Sequence, residues 1–146
     1  MIAYFDASAL VKRYFVERGS HETIALTAES EMIATSIVTR AEIAAAFAKA
    51  ARIGVVTQER ARSARRSLAR DWPDLVLVPV TGALVERAET LAWDHALRGY
   101  DAVQLASALT WQEAVGTEIV VASFDRQLWE AAPKAGLKVW PNRLPG

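Results

Sequence analysis

A three-layer α/β/α sandwich around a mainly parallel sheet of about five strands is the fold this sequence predicts. Two observations carry the prediction. The candidate strands are short and largely apolar, as strands covered on both faces are, and a helical pattern separates each from the next. A third bounds it: 146 residues with 52% apolar and 23% charged side chains suit a single domain, residues 1–146, that buries its own core.

The first strand is Ile2 to Phe5. Helical spacing follows from Ala7 to Phe15, broken by Gly19, and a second helix covers His21 to Ala28. Met32 to Ser36 is the second strand. The next helical pattern, Arg40 to Arg52, ends at Gly54, which suits a left-handed C-terminal cap. Thr57 caps a helix running to about Arg70, and Trp72-Pro73 stops it. Leu75 to Val80 is the third strand, Gly82 to Arg98 a helix broken by Gly99, and Asp101 to about Ala114 the next helix. Ile119 to Ala122, Arg126 to Lys134 and Leu137 to Trp140 complete the series as strand, helix and strand. Strand order cannot be read from these patterns.

Composition excludes several chemistries. The chain has no cysteine, so thiolate nucleophiles, disulfides and cysteine-held metals are out. His21 and His95 lie far from any paired-ligand spacing. The five tryptophans are scattered and read as packing groups. No apolar run reaches the roughly 18 residues of a membrane span. With no signal peptide at Met1-Ile2-Ala3-Tyr4-Phe5, the expectation is a soluble, cytoplasmic protein. Basic and acidic residues balance at 17 each, but Lys49 to Arg70 holds seven basic residues against Glu59 alone. Within it Arg62, Arg65, Arg66 and Arg70 form one helical stripe, a candidate RNA-phosphate track, while Ala61, Ala64 and Leu68 face inward.

Four acids stand at helix starts. Asp6 follows the first strand immediately and Asp125 follows the fourth in Ala122-Ser123-Phe124-Asp125, which puts both at the carboxyl edge of the sheet, where open α/β folds bind ligands. Glu42 lies in the first turn of the third helix. Asp101 opens a helix that is apolar almost all round. Capping accounts for any one of them singly, and Thr39-Arg40-Ala41-Glu42 matches a capping box. Two carboxylates about 5 Å apart repel by roughly 3 kcal/mol at an effective dielectric of 20. If the four converge, they stay partly protonated or hold a cation, and an all-oxygen set suits Mg²⁺ or Mn²⁺. Such an ion supports phosphodiester hydrolysis.

Asp6-Ala7-Ser8-Ala9-Leu10-Val11-Lys12 resembles the opening motif of PIN-domain nucleases, especially VapC-type toxins of toxin–antitoxin pairs. Glu42 resembles the family's second acid and Tyr100-Asp101-Ala102-Val103-Gln104-Leu105-Ala106-Ser107-Ala108 its third-acid motif. Ser123-Phe124-Asp125 resembles the fourth. The ordered set spans essentially the whole chain; Gln104 stands where many members carry His, a supporting position. The resemblance implies a Mg²⁺- or Mn²⁺-dependent endoribonuclease leaving a 5′-phosphate and a 3′-hydroxyl. It also implies a homodimer and an antitoxin whose C-terminal segment plugs the acidic site. In that picture Asp6, Asp101 and Asp125 hold metal, Glu42 ligates through water or orients the attacking water, and Ser8 and Ser123 support the carboxylates.

Two other functions use the same residues: a PIN-like module that binds RNA or protein without cutting, and a housekeeping RNA-processing nuclease. A haloacid-dehalogenase-like phosphatase needs a second Asp where Ser8 stands, and no glycine-rich phosphate loop is present.

Overall fold

A computed structural model describes all residues, 1–146. Five parallel strands form one sheet in the order β3-β2-β1-β4-β5, with β1 Ile2–Phe5, β2 Met32–Ser36, β3 Val76–Val78, β4 Val120–Ala122 and β5 Lys138–Trp140. Seven α-helices cover it: α1 Ala7–Leu10, α2 Ser20–Glu29, α3 Thr39–Arg52, α4 Gln58–Asp71, α5 Gly82–His95, α6 Gly99–Val115 and α7 Arg126–Lys134.

The pleat of β1 explains the layers. Successive side chains point to opposite faces, so Ala3 and Phe5 join the core built with α1 to α4, whereas Tyr4 joins the core built with α5 to α7. Two apolar cores on opposite faces account for strands without a polar side. The chain runs outward from β1 through β2 to β3 with helices on one face. It then crosses back over the other face to β4 and β5, as right-handed crossovers require. The reversal leaves a crevice between β1 and β4, at their carboxyl ends.

Several boundaries depart from the sequence reading, each for a local reason. The first helix lasts one turn and tightens into a 3₁₀ turn over Val11–Arg13 instead of continuing to Phe15. The break expected at Gly99 lies earlier. Ala96 adopts a left-handed conformation (φ 53°) and ends α5, the amides of Ala96 and Leu97 both donating to the Ala92 carbonyl, and Gly99 instead opens α6. β3 is shorter than the apolar run that contains it, because residues beyond Val78 have no partner strand to extend along. Helix α3 buries Thr39, Ile43 and Phe47 and turns Ala41, Ala45, Ala46 and Ala48 to solvent, so it is less enclosed than its composition suggests. Helix α6 is buried almost all round, as expected. Trp72 and Trp111 pack inside, but Trp93 is exposed.

Gly19, the expected breaker before α2, is left-handed (φ 92°), and a Cβ there would lie 2.8 Å from the Phe124 ring. Phe124 also packs edge-on to Trp140 and beneath the Lys12 ammonium. Replacing Gly19 with Ala is expected to cost about 1–3 kcal/mol, from backbone strain and displacement of Phe124. Urea unfolding checks this; an unchanged midpoint would show that the ring has room to move.

Candidate active site

The crevice between β1 and β4 is where the strand order reverses, the position at which doubly wound sheets bind their ligands. Asp6 closes β1 there and is only 3% exposed. Its Oδ1 caps α1, accepting from the Ala9 amide at 2.9 Å, and also accepts from the Ser8 hydroxyl at 2.7 Å. Its Oδ2 accepts from the Ser123 hydroxyl at 2.6 Å. Capping and site-facing roles therefore coexist in one side chain, one oxygen serving each.

The two serines tie the ends of β1 and β4 together. Ser8 accepts from the Phe124 amide at 2.8 Å, and Ser123 accepts from the Asp125 amide at 3.1 Å. Asp125 repeats the pattern of Asp6. Its Oδ1 caps α7 through the Leu128 amide at 3.0 Å, and its Oδ2 faces away from the helix.

Asp101 lies in the first turn of α6, with its side chain 14% exposed. Between it and Asp125 sits a residue that the sequence reading did not single out. Arg98 donates from Nε to Asp101 Oδ2 at 3.0 Å and from Nη2 to Asp125 Oδ2 at 2.8 Å. An arginine three residues before an acid, just ahead of a helix, is the local sequence signal for the first contact. Its reach to Asp125 needs the tertiary fold.

Glu42 forms the fourth corner, and the expected capping box is absent. Thr39 is already the first residue of α3, and its hydroxyl points inward. Glu42 Oε1 accepts from Gln104 Nε2 at 2.9 Å, and the same nitrogen lies 2.9 Å from Thr39 Oγ1. Gln104 is buried and accepts from the Tyr4 hydroxyl through Oε1 at 2.5 Å. It links β1, α3 and α6 across the sheet edge. Every buried polar side-chain atom has a partner.

Burial dominates the electrostatics. Loss of water pushes Asp6 up to about 7, against the lowering effect of Ser123, Ser8 and the Ala9 amide, and Asp125 adds repulsion. Glu42 is raised by burial and by Asp101, with Gln104 opposing; Asp101 is raised by burial and by Asp125, with Arg98 opposing. Asp6 feels the charge of Asp125, Asp101 feels that of Asp125, and Glu42 feels that of Asp101. The four predicted acids thus form one electrostatic neighbourhood. They are not yet a finished ligand cage: no three acidic or histidine side chains are close enough to hold one ion as they stand. Their donor chemistry, carboxylate and hydroxyl oxygen without nitrogen or sulfur, fits a hard divalent ion.

The basic stripe divides. Arg62, Arg65 and Arg66 line a groove between α3 and α4 together with Arg40, over an apolar floor that includes Ala44 and Leu68. Arg70 belongs to a separate hollow beside Arg13, Arg60 and Asp71. Ala61, Ala64 and Leu68 face the core, as the spacing predicted. No helix is long and apolar enough to cross a membrane.

The raised Asp6 gives a signed pH dependence. Its carboxyl holds a proton up to about pH 7 in the folded protein and to about 3.8 in the unfolded chain. The folded state binds more protons in that window, so this contribution is fully present below the lower value and is lost as pH rises through the higher one. Glu42 and Asp101 shift in the same direction. In chelator, wild-type stability is expected to fall between about pH 4 and 7 by an amount on the order of 4 kcal/mol from Asp6. Asp6→Asn should flatten that fall. Denaturant titrations across the window check it, and equal slopes for both proteins would contradict the assignment.

The chain as a whole is similar to known proteins. The PIN domain family profile matches residues 3–134. The chain is 40% identical over 144 residues to Ribonuclease VapC45 of Mycobacterium tuberculosis (strain CDC 1551 / Oshkosh), covering 98% of this chain and 97% of that protein. Among solved structures, a toxin-antitoxin complex from Klebsiella pneumoniae contains a chain that aligns with a TM-score of 0.65 at 17% identity, over 98% of this chain and 99% of that one. Mycobacterium tuberculosis VapC20, described as a Sarcin-Ricin loop cleaving toxin, aligns with a TM-score of 0.66 at 18% identity, over 98% and 99%. At those identities the structural likeness speaks for the fold alone.

Proposed function

The chain belongs to the PIN-domain family, and from that membership and the site's geometry we propose that it is an endoribonuclease toxin using a divalent ion, Mg²⁺ or Mn²⁺. The ribonuclease assignment rests on relatives named VapC ribonucleases at 40% identity over nearly the full chain. One observation carries the proposed chemistry: a carboxylate stripped of water, Asp6, sits at the switch point of the sheet with three more acids along the same edge.

In this reading Asp6, Asp101 and Asp125 supply the ligand oxygens. Each carboxylate oxygen can accept more than one partner, so Asp6 Oδ2 can keep its Ser123 contact while ligating. Ser8 and Ser123 fix the carboxylate plane, as outer-shell hydroxyls do around ligand carboxylates. When bound, the ion acidifies a water and screens the phosphodiester's charge. Glu42, half-buried and held by Gln104, orients the attacking water and takes its proton. Burial raises its affinity for protons, which suits that role. Arg40, Arg62, Arg65 and Arg66 line the phosphate track; Arg70, part of the predicted stripe, stands outside that groove.

The proposed partner is an antitoxin that covers the acidic crevice, and the proposed assembly is a homodimer. Structural relatives described as toxin-antitoxin complexes support a protein partner.

Purified protein incubated with RNA in Mg²⁺ or Mn²⁺ is expected to cleave it, and chelator to stop cleavage. Asp6→Asn and Asp101→Asn should each lower turnover by about a hundredfold or more, with the fold retained by circular dichroism. Changing Arg65 and Arg66 together to Glu should raise KM and reduce the salt dependence of binding. Cleavage that persists in chelator and in Asp6→Asn would leave the binding-module reading in its place.

A further inference from the structure

We propose that Arg98 is the resident cation of the acidic crevice: it bridges Asp101 and Asp125, and a divalent ion must displace it to bind. The inference rests on the reading of those two acids as metal ligands. Asp101 belongs to α6 and Asp125 caps α7, and Arg98 is the one side chain bonded to both. Each acid offers it the same type of atom, an Oδ2 that no other donor occupies. In Asp125 the other oxygen is engaged in capping. The guanidinium therefore competes with a metal for Asp125 Oδ2 and for one of the two Asp101 oxygens, and two cations cannot share that space without strong repulsion.

The structure also makes the bridge easy to leave. The Arg98 side chain is 69% exposed and caps nothing in α6. Exposed ion pairs hold weakly, because water competes for both partners and the long side chain loses freedom in one pose. The backbone, by contrast, is fixed. Left-handed Ala96 ends α5, Leu97 is buried just after it, and Arg98 is held at the crevice rim whether or not its side chain points inward. Lys12, in the 3₁₀ turn that follows α1, is committed to Glu17 and the Arg18 carbonyl. One guanidinium cannot neutralise both of the acids it bridges, so attraction for a divalent ion survives. Its apparent affinity is reduced by the fraction of molecules in which the bridge is closed.

The expected consequence is metal affinity that improves when Arg98 is removed. Mn²⁺ binding by isothermal titration calorimetry, on wild type, Arg98→Ala and Arg98→Gln, should give about tenfold tighter binding in both variants, within the usual range of coupling between competing sites. In chelator both variants should melt at or below the wild-type temperature, because the acids lose their counter-charge. Saturating Mn²⁺ should raise their melting temperature by more than it raises the wild type's. Circular dichroism checks that the variants fold; the exposure of Arg98 favours that. Equal or weaker Mn²⁺ binding by both variants would overturn the role of Arg98 while leaving the metal site standing. Absence of Mn²⁺ binding in all three proteins would overturn the metal site itself, and the inference with it.

Discussion

Asp6 is a carboxylate with almost no water around it, and much of the surrounding structure answers that fact. Burial alone would drive such a group to stay protonated or find a counter-charge. The fold supplies partial answers: a helix amide and two serine hydroxyls from segments more than a hundred residues apart. None of these is a cation. The Arg98 guanidinium is spent on the two neighbouring acids. What remains is a deficit of positive charge at one edge of the sheet, and the proposed function is the use made of that deficit.

The sheet order is what concentrates the charge. With β1 and β4 adjacent and the chain reversing between them, Asp6 and Asp125 emerge side by side, each capping the helix that follows with one oxygen and offering the other to the crevice. Asp101 and Glu42 arrive from helices on opposite faces of the sheet. Gln104 joins those faces by accepting from Tyr4 and donating to Glu42, a buried connection with no unpaired atom. A fully satisfied polar network of this kind fixes geometry more than it adds stability.

Much of this was legible in the sequence, and the reasons differ by element. Strands β1 and β2 kept their predicted bounds: β1 is apolar and fully buried past Ile2, and the polar end of β2, Thr35 and Ser36, is buried as well. Asp6 and Asp125 could be placed at the sheet edge because Asp6 follows β1 directly and only Ser123 and Phe124 separate Asp125 from β4. The sheet order could not, since parallel strands with long crossovers leave no local trace of who pairs with whom. The capping box misled because Thr39 finds a tertiary partner in Gln104, and a local hydrogen-bond motif yields to a buried network. The end of α5 was missed because alanine gives no compositional warning of a left-handed turn. Arg98 was invisible as a bridge because its second partner is 27 residues away.

Whether these acids close around one ion decides the proposed chemistry. Crystals soaked in Mn²⁺ and measured at the manganese absorption edge test it most directly. The account predicts an anomalous peak in the crevice, within about 2–2.5 Å of oxygens from at least two of Asp6, Asp101 and Asp125, with the Arg98 side chain swung out of its bridge. A crevice without a peak at saturating Mn²⁺, its arginine bridge intact, would contradict it.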